Sequence, residues 1–443
     1  MEKIKLSDHF GYRKLIRFTF PSIVMMLFTS IYGIVDGYFV SNFVGKTEFA
    51  ALNMAYPFVM MLGAVGFMIG SGGTALVSKT LGENDKPRAN RCFSMLVYAT
   101  AVIGILLTFI GLLLQRPVAS LLGAEGNMLE DAVVYSTILM IALPTFMLQC
   151  AFQPLMIAAE KPHLGLWMTV AAGLTNMVLD ALFVGAFGWG LRGAAFATAA
   201  SQLVGCVWPL IYFAFPNSSE LRLGAASADL KAFGKVCLNG TSEFVTNVAL
   251  SLVNMIYNAV LLSMAGENGV SAYGVIMYIN MIFLAVFFGY TMGVSPIISY
   301  HYGAGNEGEL RILRVRSVHL QAAASVVMTA AAVLLARPLA RLFVGYDETL
   351  MELTRHAFLL YATSYLLSYL NIFASAFFTA LNDGVTSGVI SFSRMLVFQV
   401  GAIILLPKAI GLDGIWLAMT AAEICSLCLS SFYFIKYQKR YGY

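Results

Sequence analysis

Residues 18–45 read FTFPSIVMMLFTSIYGIVDGYFVSNFVG, and Asp36 is the only formal charge in these 28 residues. The run is longer than the roughly 20 apolar residues that cross a bilayer as a helix. A carboxylate at that depth costs at least about 2.5–3.5 kcal/mol on insertion scales, so it persists only with a partner, an ion or a task. The fold follows from the run, and the functional question from the charge inside it.

The rest of the chain has the same character. It is 59% hydrophobic and 11% charged, with a mean hydropathy of +0.79, whereas soluble domains carry about 25% charged residues. Apolar runs bounded by polar turns predict an all-α polytopic membrane protein of twelve transmembrane helices. They lie near 15–40, 49–77, 92–114, 130–158, 163–186, 191–215, 235–262, 270–299, 314–336, 351–380, 386–407 and 412–436. Placing the N-terminus in the cytoplasm puts twenty of the 27 lysines and arginines on the inner side, Lys3 among them, and seven outside. That bias predicts two cytoplasmic termini in a cytoplasmic (inner) membrane. Residues 1–14 show no cleavable leader. The net charge of +4 calls for no nucleic-acid partner. The six cysteines lie in or beside apolar helices, and Cys425 and Cys428 read as small packing residues rather than a metal or redox pair.

The chain is a duplication. An offset of 221 lays Gly72, Ser78 and Gly82 on Gly293, Ser299 and Gly303. It also lays Arg116-Pro117 on Arg337-Pro338, and Gly190-Leu191-Arg192-Gly193 on Gly411-Leu412-Asp413-Gly414. Six helices per half make the repeats parallel, two pseudo-symmetric six-helix bundles facing a central cavity. The expected division is an N-terminal lobe 1–215, a cytoplasmic linker 216–234 and a C-terminal lobe 235–443. Each chain contains both halves, so a monomer suffices.

Asp36 has company. Asn176 and Asp180 are four apart on the fifth helix and share a face. Thr198 offers a hydroxyl early in the sixth, where Gly193-Ala194-Ala195 permits close approach. Such oxygens suit a hard monovalent cation; the same carboxylates would equally take up and release protons. Tyr135, Gln149 and Gln153 on the fourth helix serve either a pocket or helix–helix bonding. Pro21 predicts a bend in the first helix, fixed or moving. The offset puts Gly401, Val397 and Met419 at the places of Asp180, Asn176 and Thr198, and a slip to 218 puts Asn254 at that of Asp36. The second half has its own acids, Glu243 and Glu423, which either meet a cationic substrate or a proton path, or pack as structural groups. Arg394 is expected to snorkel from the inner end of its helix, and Asn371 to sit in uncharged surroundings.

No nucleotide loop or catalytic motif is present, and the five histidines are dispersed, so nothing points to an enzyme or a cofactor. Uphill transport would then draw on an ion gradient or a partner.

These features together resemble the multidrug and toxic compound extrusion (MATE) family over essentially the full length. The most specific match is Asp36, Asn176, Asp180 and Thr198, which fall on that family's N-terminal-lobe cation-binding group, with Tyr135 and Gln153 on polar cavity positions. The resemblance implies a secondary antiporter exporting small organic, often cationic and amphipathic compounds against inward H+ or Na+. Asn239-Gly240 stands where many members have proline, and Glu243 lies off the usual acidic position; both departures favour coupling in the N-terminal lobe. The alternative is a lipid-linked precursor flippase of the same wider superfamily, which would need cationic cavity residues to hold pyrophosphate.

Overall fold

The computed structural model describes residues 4–44, 46–226 and 229–443, with the side chains of Lys46, Phe49 and Ala50 undescribed. Lys3, Gly45 and linker residues 227 and 228 lie outside the described residues. The N-terminal half comprises α1 (Tyr12–Phe43), α2 (Lys46–Gly82), α3 (Lys86–Leu121), α4 (Gly126–Ile141), α5 (Leu143–Ala158), α6 (Pro162–Asp180) and α7 (Gly190–Ala214). A π-helical turn, Ala181–Ala186, extends α6. After α8 (Leu230–Asn239) the second half holds α9 (Thr241–Gly303), α10 (Glu307–Val344), α11 (Glu348–Ala362), α12 (Tyr365–Ala380), α13 (Gly384–Phe392), α14 (Gln399–Ile410), α15 (Leu412–Trp416) and α16 (Ala418–Tyr441). A second π-helical turn, Ser393–Phe398, joins α13 to α14.

Nine of the described helices are long and apolar enough to span a membrane, and the bent pairs α4–α5 (54°) and α11–α12 (48°) each add one. The twelfth pass is hidden in α9. Gly266 takes φ 62° and ψ −152° inside it, a combination outside helical space. The Tyr273 hydroxyl donates to Asn254 Oδ1 at 2.7 Å, and the Tyr257 and Tyr273 rings stack at 4.6 Å. Along one straight helix, residues 254 and 273 would be about 28 Å apart. Thus α9 is a hairpin, with a first arm over 241–265 and a second over 267–303, and the twelve expected passes are all present. The pass expected over 235–262 breaks at Gly240, which caps α8.

The duplication reappears in the turns. Asp85 N donates to Thr80 O at 3.2 Å and Asn306 N to His301 O at 3.0 Å, the same bond displaced by 221. Asn84 and Gly305 supply the positive φ these turns require. Asp85 and Asn306 then cap the next helix through their side chains.

One apolar core, including Val40, Tyr135 and Ala195, lies wholly in the first half; another, including Tyr257, Tyr361 and Trp416, lies wholly in the second. A third joins the halves at the end carrying the N-terminus, where Leu6, Phe10 and Phe18 pack with Ile297, Leu313 and Tyr443. Glycines bring the backbones together there. A Cβ on Gly82 would lie 2.0 Å from Tyr300 O, and one on Gly303 would lie 2.0 Å from Lys79 O. The contacts are reciprocal: 79 and 82 map onto 300 and 303. The N-terminal segment crosses the seam, with Leu6 N bonded to Glu160 Oε1 at 2.8 Å and Phe10 N to Glu309 Oε1 at 2.8 Å.

The described part of the linker is bound to α3. Asn90 donates to Glu220 O at 3.0 Å and accepts from Arg222 N at 2.6 Å. One turn on, Ser94 Oγ accepts from Gly224 N at 3.0 Å. Asn90→Ala removes two of these bonds, worth together about 2 kcal/mol. Tryptic cleavage after Arg222 should accelerate by roughly tenfold or more, since nicking tracks the open population; an unchanged rate would show the strap is held elsewhere.

Candidate ion site and central cavity

Gly173 decides how closely α1 approaches α6. A Cβ there would stand 2.5 Å from Phe28 and 2.8 Å from Tyr32 ring atoms, so only glycine admits these side chains. One turn on, Asp36 faces Asn176 and Asp180 across the same interface. Asn176 and Asp180 are buried. Four oxygens, Asp36 Oδ1, Asn176 Oδ1 and both carboxylate oxygens of Asp180, are buried and, with both acids ionised, accept no hydrogen bond among the described residues; the two carboxyls lie within hydrogen-bonding reach of each other, and Asp36 of Asn176. Two carboxylates this close cannot both remain ionised without a cation between them. The group can therefore accept a proton or a small cation. Asp180 stands directly before the π-helical turn, an irregularity common at functional sites.

Thr198 lies half-buried on α7, which packs on α6. Its carbonyl accepts from Ser201, and among the described residues no hydrogen bond joins its hydroxyl to the acids. Tyr135 is buried within electrostatic reach of Asp36 and Asp180. Tyr32 and Tyr56 share that neighbourhood. Sequence reading passed over both. Tyr32 was discoverable one turn before Asp36, whereas Tyr56 arrives from α2, whose rotation a sequence does not reveal. α1 continues unbroken through Pro21.

Between the two halves lies a cavity of about 1000 Å³, counting its open part, lined by α1, α2, α5, both arms of α9 and α12. Met26, Phe67, Phe288 and Met292 make an apolar wall, with hydroxyls from Ser71, Thr246, Thr291 and Thr379. Glu243 is the one acidic or basic side chain in that lining, and its carboxyl forms no ion pair among the described residues. Of the other expected cavity residues, none lines this space. Gln149 and Gln153 are buried one position, about 100° of helix rotation, from Cys150 and Pro154, which do line it. Gln149 instead fills the notch at Gly205 on α7, 2.6 Å from where a Cβ would stand. Asn254 is held by Tyr273.

Two further expectations are corrected in the second half. Arg394 does not snorkel: it is buried and donates through Nη2 at 2.6 Å and Nε at 3.0 Å to Glu423 Oε1. Glu423 is fully buried on α16, away from the cavity wall, and also accepts from Ser368 at 2.9 Å and Asn371 at 2.6 Å. Asn371 therefore sits beside an ion pair rather than in uncharged surroundings. A guanidinium this deep is held because its carboxylate is equally deep.

The chain is 21% identical over 419 residues to the multidrug export protein MepA of Staphylococcus aureus (strain MRSA252), covering 94% of this chain and 92% of that one. Identity to MepA of Staphylococcus haemolyticus (strain JCSC1435) is 22% over 417 residues, covering 94% and 91%. The fold superposes with a TM-score of 0.94 on a crystal structure of MATE in complex with MaL6, at 20% identity over 100% of this chain and 99% of that one. It superposes with a TM-score of 0.93 on an outward-facing multidrug resistance MATE family transporter of the MOP superfamily, at 20% identity and the same coverage. The MatE family signature matches residues 21–182 and again 244–404. With both halves matched, the chain belongs to the MatE family of membrane transporters and to no class of enzyme.

Proposed function

We propose that this multidrug efflux transporter is an antiporter that exports organic, often cationic and amphipathic compounds in exchange for H+ or Na+. The observation that supports coupling in the N-terminal lobe is the group of four buried oxygens on Asp36, Asn176 and Asp180, two carboxyls facing each other with no cationic side chain between them among the described residues. Asp36 and Asp180 hold the ion, Asn176 supplies a neutral oxygen, and Thr198 completes the group when α7 moves inward. Tyr135 walls the group off. The two lobes, 1–215 and 235–443, rock about the 216–234 linker, with both termini cytoplasmic in the inner membrane and one chain as the working unit. The export function named for the MepA relatives agrees with this reading.

The cavity suits the cargo. Its thioether and phenyl wall repacks around varied apolar shapes, and Glu243 offers one negative charge to a cation. Glu243→Gln should raise KM for a monocationic dye about tenfold, equivalent to roughly 1.4 kcal/mol, and leave a neutral substrate unaffected. Equal shifts for both would remove Glu243 from substrate contact. The flippase alternative needs a free deep cation for pyrophosphate, and Arg394 is taken by Glu423. The deciding experiment imposes a sodium gradient or a pH gradient, separately, on proteoliposomes. Efflux driven by one of them supports the proposal, and efflux driven by neither defeats it.

A further inference from the structure

The two lobes treat their buried acids in opposite ways. In the N-terminal lobe the carboxyls of Asp36 and Asp180 meet each other and Asn176, with no cationic side chain to answer them among the described residues. In the C-terminal lobe Glu423 is saturated: Oε1 accepts from both Arg394 nitrogens and Ser368, and Oε2 accepts from Asn371. The positions are related by the repeat. The 221 register lays Glu423 on Gln202, one turn from Thr198 along the same helix. The same register lays Arg394 on Gly173, the α6 glycine packed against Tyr32 one turn before Asn176. Tyr361 lies within electrostatic reach of both Glu423 and Tyr257. Packing alone does not call for this pair, because apolar residues of similar volume commonly stabilise as well as a buried ion pair or better.

We propose that Arg394 is a tethered cation that permanently neutralises Glu423, the most deeply buried carboxylate of the C-terminal lobe, withdrawing it from ion exchange and so limiting how many ions accompany each substrate. A guanidinium keeps its charge across the accessible pH range, and its backbone keeps it from leaving. What a mobile ion does transiently at Asp36 and Asp180, Arg394 does without turnover at Glu423. The inference rests on the reading that Asp36 and Asp180 carry the coupling ion.

The test counts ions. Purified protein is titrated for equilibrium uptake of radioactive sodium and, with a pH dye, of protons. Arg394→Gln should take up one more ion per chain than wild type, because Glu423 is released to bind one. Arg394→Lys should keep the wild-type count. Should Arg394→Gln fail to fold, the double variant R394Q/E423Q carries the test, since it leaves no unpaired charge. It should keep the wild-type count and gradient dependence; a count lower by one would mean that Glu423 exchanges an ion in the native protein and would overturn the proposal. A folded Arg394→Gln with the wild-type count would overturn it as well. Asp36→Asn separates the two readings. A full wild-type count in that variant refutes the N-terminal-lobe site, whereas an extra ion on adding Arg394→Gln to it is decided by Glu423 alone.

Discussion

In proteoliposomes, Asp36→Asn is expected to reduce gradient-driven export to the passive leak while the protein inserts and folds normally. Asparagine keeps the size of the side chain and removes the charge, so the α1–α6 interface with Gly173 is undisturbed. Taking a charge out of an apolar interior relieves a desolvation cost, and thermal stability should hold or rise, by about 1 kcal/mol. Loss of transport without loss of fold then marks the carboxylate as functional. Asp180→Asn should act more mildly, shifting the apparent affinity for the driving ion, because Asp36 and Asn176 still offer oxygens. Wild-type efflux from Asp36→Asn, measured beside its melting curve, would sink the assignment.

The second large effect is expected at the seam. In Gly303→Ala the new Cβ would lie 2.0 Å from Lys79 O, 2.8 Å from its carbonyl carbon and 3.0 Å from its Cα. These are backbone atoms, with no rotamer to turn aside, so α2 and the second arm of α9 must separate. Overpacking of this kind costs about 1–3 kcal/mol. The cost falls only on the conformer closed at this end, so the closed-to-open ratio should drop by roughly tenfold to a hundredfold. With the six native cysteines replaced, Cys150 on the same wall included, Ser71→Cys should then be alkylated correspondingly faster from the side carrying the N-terminus. Gly82→Ala should do the same through Tyr300 O, and the double variant should add little, since one separation relieves both clashes. Unchanged labelling in Gly303→Ala would mean that the seam is not what closes this end.

Much of the fold was legible because a bilayer leaves few options: apolar length, charge asymmetry and a constant offset specify twelve passes in two parallel halves. The hairpin at Gly266 was legible too, as the polar turn Gly266-Glu267-Asn268-Gly269 between two apolar runs. The acids of the candidate ion site could be read because i,i+4 spacing fixes which residues share a face. What could not be read is rotation between helices. Gln149 and Gln153 share a face as expected, but that face turns toward α7, and Cys150 and Pro154 meet the cavity. Arg394 and Glu423 were each noticed singly, and their pairing depends on the register of α16 against a π-helical turn, whose extra residue per turn no hydrophobic period announces.

The seam also says something about ancestry. Gly82 on Tyr300 and Gly303 on Lys79 are one patch meeting itself, the isologous contact of a two-fold homodimer. A gene encoding a single half would carry every atom needed to rebuild that contact with a second copy. Joining the copies into one chain ended the obligation for both partners to bear the same residues, and from that freedom came a lobe whose paired carboxyls meet no cation and a lobe whose deepest carboxylate, Glu423, is already answered.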